Sequence, residues 1–136
     1  MARILVIDDQ HDVRAVICMV LRINRFDVVE AATAAAGLEA FAHGRFDAVL
    51  VDILLEDAIG FDVIATLRAR VPDLPVVAVS GLTSLDADMR AANLSNVVSL
   101  RKPFRPSELI GAIGAARGPL RPARGDGAGI VARTAV

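Results

Sequence analysis

Apolar residues return along the chain in two alternating patterns. Five short runs, RILVI (3–7), DVVEA (27–31), DAVLV (47–51), LPVVAVS (74–80) and VVSL (97–100), are rich in Val and Ile and mostly continuous. That is the pattern of strands buried on both faces. Between them the apolar spacing is helical: Val13, Val16, Ile17, Val20 and Leu21; Ala35, Leu38 and Phe41, stopped by His43 and Gly44; Phe61, Ile64 and Leu67; Leu85, Met89 and Ala92; and Leu109, Ile110 and Ile113. Thr33 and either Thr83 or Ser84 are residue types that cap helix starts, and Pro106 ahead of Ser107 and Glu108 suits a first helical position. Strands and helices in alternation, joined by short crossovers, predict an α/β fold in which a five-stranded parallel, doubly wound sheet carries five helices over its two faces. Sites in such sheets form at the carboxyl ends of the strands.

Composition narrows the picture. At 136 residues, 54% apolar, with a mean hydropathy of +0.52, the chain suffices for one compact domain. No apolar run approaches the roughly 20 residues of a membrane span, and MARILVIDD reaches two aspartates too early for a signal peptide, so a cytoplasmic protein without membrane contact is expected. Cys18 is the only cysteine, which excludes an internal disulfide and a thiolate zinc site. Residues 118–136, GPLRPARGDGAGIVARTAV, carry a net charge of +2 and no apolar periodicity, and are expected to be a disordered tail or linker stub. Residues 1–117, the expected domain, carry a net charge of −3, which argues against a nucleic-acid surface.

Asp52 follows the DAVLV run with no cation beside it in sequence. An ionised carboxylate at the edge of a core costs several kcal/mol unless something compensates it. The other strand ends supply company: Asp8 and Asp9 after the first, Ser80 closing the fourth, Lys102 just past the fifth. Three converging carboxylates raise one another's pKa and call for a hard divalent cation. Magnesium, which accepts one or two carboxylates together with phosphate oxygens and water, fits a sparse open site. With the ammonium of Lys102 and the hydroxyl of Ser80, the set is suited to receiving a phosphoryl group on a carboxylate. His11 and His43 stand in no catalytic spacing and receive no role.

ILVIDD, DAVLVD with Gly60 eight residues past Asp52, VVAVSG and RKPF, in that order, resemble the receiver domain of bacterial two-component response regulators, over roughly residues 2–117. The resemblance implies a flavodoxin-like receiver fold, a single-domain switch of the chemotaxis-regulator kind, and a phosphorelay role in signal transduction. By position, Asp52 is then the phospho-acceptor. Asp9, Asp52 and the main-chain carbonyl of Leu54 hold Mg2+ directly, and Asp8 acts through water. Ser80 is the switch hydroxyl, Lys102 pairs with the phosphoryl group, and the Lys102–Pro103 peptide is cis. The phosphoryl donor is a histidine kinase or histidine phosphotransfer protein, docking on the first helix where Ala15, Cys18 and Met19 are expected to face outward. Such a protein catalyses its own phosphorylation and slow dephosphorylation, and is a switch rather than a metabolic enzyme.

Several positions depart from the family's commonest pattern. Gln10 and His11 replace an acidic residue and a proline after the acid pair, and Glu56 replaces the proline four residues past the acceptor. The loop after the acceptor thereby loses a rigid element and is expected to gain, from Glu56 and Asp57, negative charge near the site. Ser99 stands where the family has its switch aromatic, which removes the partner of the usual hydroxyl-aromatic coupling. Leu54 and Leu82 occupy the positions that tune loss of the phosphoryl group. Being apolar, they cannot orient an attacking water, so a long-lived phosphorylated state is expected. Two alternatives stay open: an amino-terminal receiver fragment of a larger regulator, and a receiver-like binding module that works without phosphorylation. Haloacid-dehalogenase-like phosphatases are disfavoured, because Gln10 and Leu54 stand two residues after Asp8 and Asp52 where a second aspartate is needed. A flavodoxin-like cofactor module is disfavoured by DDQHD in place of a Ser/Thr/Gly-rich phosphate loop.

Overall fold

The computed structural model describes residues 1–81 and 96–118. Its elements are β1 (Arg3–Ile7), α1 (His11–Ile23), β2 (Asp27–Ala31), α2 (Ala34–Ala42), β3 (Ala48–Asp52), α3 (Gly60–Arg70), β4 (Val76–Ser80), β5 (Val97–Arg101) and α4 (Pro106–Arg117). All five predicted strands are present, and they form one parallel sheet in the order β2-β1-β3-β4-β5. Four helices lie among the described residues. The predicted helix over Leu85, Met89 and Ala92, its cap at Thr83 or Ser84, Leu82, and the tail beyond Gly118 fall outside them.

The continuous apolar runs are explained by burial from both sides. Every residue of β3 and β4 is buried. On one face Leu5, Ile7, Val49, Val51 and Val76 pack against Phe41 of α2 and Ile64 and Leu67 of α3. On the other, Ile4, Val6, Leu50, Val77 and Val98 pack against Ile17 and Leu21 of α1 and Leu109 and Ile113 of α4. Successive strand residues point to opposite faces, so each strand feeds both cores. The chain winds from β1 outward to β2, then crosses to β3 on the other side of β1. The reversal between β1 and β3 opens a crevice at their carboxyl ends.

Helix starts follow the local chemistry. The Thr33 hydroxyl accepts from the Ala36 amide, and Pro106 takes the first position of α4 with Glu108 accepting from the Arg105 amide. No helix among the described residues is long and apolar enough to cross a membrane.

Candidate functional site

Strand register brings the polar ends together. Ile7 pairs with Val51, Asp52 with Val79 and Ser80 with Arg101. Asp8, Asp52, Ser80 and Lys102 therefore end their strands nearly level, around a cleft of about 300 Å³ that Asp9, Asp52, Ser80 and Lys102 help to line. Asp52 is the last residue of β3, and only 4% of it is exposed.

The cation that Asp52 lacks in sequence arrives from β5. Lys102 Nζ lies 3.1 Å from Asp52 Oδ2 and 3.6 Å from Asp8 Oδ2. It also donates to Gln10 Oε1 at 3.2 Å. Asp52 Oδ1 accepts from the Leu54 amide at 3.0 Å, and Asp9 Oδ2 from the Glu56 amide at 2.8 Å. The Lys102 amide donates to the Ser80 carbonyl at 2.9 Å, which fastens the lysine loop to β4. The Lys102–Pro103 peptide is cis.

Asp8 is fully buried, with Oδ1 accepting from the Gln10 amide at 2.9 Å. Its Oδ2 is buried without a hydrogen-bond partner. Burial pushes the Asp8 carboxyl above its ordinary pKa, opposed by the Gln10 hydrogen bond and the Lys102 charge and reinforced by Asp52 and Asp9. One oxygen each of Asp8, Asp9 and Asp52 lie within 4.8 Å of one another. Three carboxylates this close, one of which keeps a buried oxygen without a hydrogen-bond partner, fit a small divalent cation and its water shell.

A family model of the response regulator receiver domain matches residues 4–114. The chain belongs to that family. The receiver is 34% identical over 108 residues to the transcriptional regulatory protein PrrA of Mycobacterium tuberculosis, covering 79% of this chain and 46% of that one. It is 34% identical over 115 residues to the DNA-binding transcriptional regulator NtrC of Rhizobium meliloti, covering 85% and 24%. The chain thus spans about half or less of the length of these curated relatives. Among solved structures, a response regulator receiver domain protein of Clostridium thermocellum superposes with a TM-score of 0.77 at 28% identity, covering 86% of this chain and 94% of that one. The protein is a receiver domain of a signalling system, with the acidic cluster of a phospho-accepting site.

The first helix of the receiver differs from expectation at two positions. Cys18 is buried, with 1% exposed, and cannot join Ala15 and Met19 on the outer face. Val16, one of the apolar residues whose spacing predicts this helix, is 51% exposed and does not face the sheet. The buried stripe centres on Ile17 and Leu21. At 3.6 residues per turn Cys18 lies about 60° from Leu21 and Val16 about 140° away on the other side. Burial pushes the Cys18 thiol up to about 11, so it is an inert core side chain. Ala15 and Met19 do face outward, along a groove of about 500 Å³ that continues past Ile23 to Glu30.

The loop after β3 also differs. The Asp57 carboxylate turns to α2, accepting from the Ala34 and Ala35 amides, instead of adding charge to the pocket. With Glu56 tied to Asp9 and the Gly60 amide donating to the Ile53 carbonyl at 2.7 Å, the loop is fastened at three points despite lacking the proline. Sequence reading also missed Gln10 as a contact of the lysine. A further signal was available in the composition: Lys102 is the only lysine of the chain, every other long basic side chain being arginine.

Proposed function

We propose that this receiver takes a phosphoryl group onto Asp52 from a phosphohistidine of a histidine kinase or histidine phosphotransfer protein. The carrying observation is a buried Asp52 that reaches a water-accessible cleft with Lys102 Nζ 3.1 Å from its Oδ2. The carboxylate attacks phosphorus, the bond from phosphorus to the histidine nitrogen breaks, and an acyl phosphate forms as the imidazole leaves. Lys102 is placed to follow the charge from the carboxylate to the phosphoryl oxygens. Ser80, buried at the end of β4, supplies the switch hydroxyl. Asp9, Asp52 and the Leu54 carbonyl would hold Mg2+, with Asp8 acting through water. The ion supplies charge neutralisation between carboxylates and phosphoryl group.

The donor would dock on the outer face of α1 at Ala15 and Met19, where the groove toward Glu30 offers apolar surface framed by charge. Phosphorylation would shift a two-state equilibrium of a protein-binding face in a cytoplasmic two-component pathway. Residues 1–117 are read as the receiver unit and 118–136 as its tail or linker. The part-length match to PrrA and NtrC favours, as a second reading, a receiver that works within a larger regulator.

The test is incubation with Mg2+ and acetyl phosphate, read by intact mass, beside Asp52→Ala. A gain of one phosphoryl mass that needs both Mg2+ and Asp52 supports the proposal. No gain, even from a phosphorylated histidine donor, would leave a binding module that works without phosphorylation.

A further inference from the structure

Lys102 has three ammonium hydrogens and three oxygens around it, and one of those oxygens is uncharged. Asp52 Oδ2 and Asp8 Oδ2 are the charged pair, at 3.1 and 3.6 Å, and Gln10 Oε1 is the third, at 3.2 Å. Gln10 occupies the N-cap position of α1, yet its side chain bonds no amide of the helix. Its main chain is fixed at both ends: the amide donates to Asp8 Oδ1 at 2.9 Å, and the carbonyl accepts from the Arg14 amide at 2.9 Å. Glutamine is not a favoured cap, so the helix start does not explain the residue. The contact with the lysine does.

Building on Asp52 as acceptor beside a cation, we propose that Gln10 is a positioning residue that gives Lys102 a neutral second seat. A cation that takes oxygens of Asp52 draws off acceptors the ammonium now uses. Gln10 keeps the ammonium in the pocket through that exchange without adding charge. A carboxylate at position 10 would also seat it, but would bring a fourth negative group to three whose oxygens lie within 4.8 Å, and would repel an incoming phosphoryl dianion. A hydrocarbon there would leave the ammonium to the carboxylates alone, and the cation would have to displace it.

The single lysine makes the test direct, because full-chain protein grown with nitrogen-15 lysine gives one ammonium resonance. Wild type, Gln10→Met and Gln10→Glu are compared without metal and through a MgCl2 titration, with no phosphodonor. Gln10→Met should shift the metal-free resonance and weaken Mg2+ binding about 3- to 10-fold, the scale of one ordinary solvent-exposed hydrogen bond. Gln10→Glu, which keeps an acceptor at that position, should strengthen binding. In a Lys102→Met background, followed by main-chain amide shifts, Gln10→Met should leave Mg2+ affinity unchanged, since its effect runs through the lysine. An unmoved resonance in Gln10→Met, or the same loss of affinity with and without Lys102, overturns the inference. Both results leave the phospho-acceptor reading standing. A wild type that binds no Mg2+ overturns the metal reading instead, and the metal-free resonance then decides the seat by itself.

Discussion

Asp57 closes the amino end of α2 from 23 residues away, its Oδ1 accepting from the Ala34 amide at 2.9 Å. Its Oδ2 takes the next amide, that of Ala35, at 3.2 Å, and the Thr33 hydroxyl takes the Ala36 amide. The first three donors of the helix are all satisfied. The same loop carries Leu54 and Glu56, whose amides hold Asp52 and Asp9. The acid pocket and the start of α2 are therefore joined by a few residues of tethered chain.

The two amides hold the Asp57 carboxyl below its ordinary pKa of 3.8. A depressed carboxylate contributes stability that is present above its unfolded pKa and lost as pH falls through the folded one. Asp57→Ala should therefore melt below wild type by a constant margin at neutral pH, and the margin should close below about pH 4. Thermal melts of both proteins from pH 7 to pH 2.5 measure it. A margin that widens on acidification would contradict the cap.

Asp8 carries the opposite sign. Its folded pKa is raised, so the ionised form opposes folding, and that cost appears as pH rises through the unfolded pKa. Asp8→Asn should raise Tm at pH 7 without metal. The gain should vanish below about pH 3.5, where wild-type Asp8 is also neutral. The variant should also lose most of the stabilisation that Mg2+ gives the wild type, because a neutral amide is a poorer ligand.

Strand positions were legible because continuous apolar runs bounded by charge have no other comfortable place than the middle of a two-faced sheet. Asp8, Asp9, Asp52, Ser80 and Lys102 were legible for a related reason, since polar residues closing such runs must surface together where parallel strands end. The faces of α1 were not. Val13, Val16, Ile17, Cys18, Val20 and Leu21 cover too much of the helix for periodicity alone to choose between Val16 and Cys18 as the buried residue. Asp57 and Gln10 were missed because their partners, Ala34 and Lys102, are brought near only by the fold.

Gly60 should tolerate no side chain. A Cβ there would lie 2.5 Å from the Asp52 carbonyl oxygen and 2.6 Å from Ile53 Cα, both main chain and unable to swing aside. Gly60→Ala should cost about 1–3 kcal/mol, read as a lower urea midpoint. Because the strained atoms end β3, it should also depress phosphoryl uptake at Asp52 under conditions where the variant is still folded.

Leu54 is 58% exposed and lines the cleft past its Asp52-bound amide. Its side chain offers water no acceptor. Leu54→Asn should shorten the life of the acyl phosphate by roughly 3- to 10-fold, through an amide able to orient an attacking water. Following the phosphorylated mass over time after removal of the donor checks this, and an unchanged decay would count against it.

Acetyl phosphate presents two electrophilic centres, phosphorus and the acyl carbon, and amines attack the second. Apart from the amino terminus, the chain has one amine to offer, and it sits 3.1 Å from Asp52. Acylation at that nitrogen would turn the pocket's ammonium into a neutral amide, whereas transfer to the carboxylate adds a phosphoryl group. The two adducts differ in mass, so a single spectrum separates phosphoryl transfer from acylation, and a peptide map then tells acylation of Lys102 from that of the amino terminus.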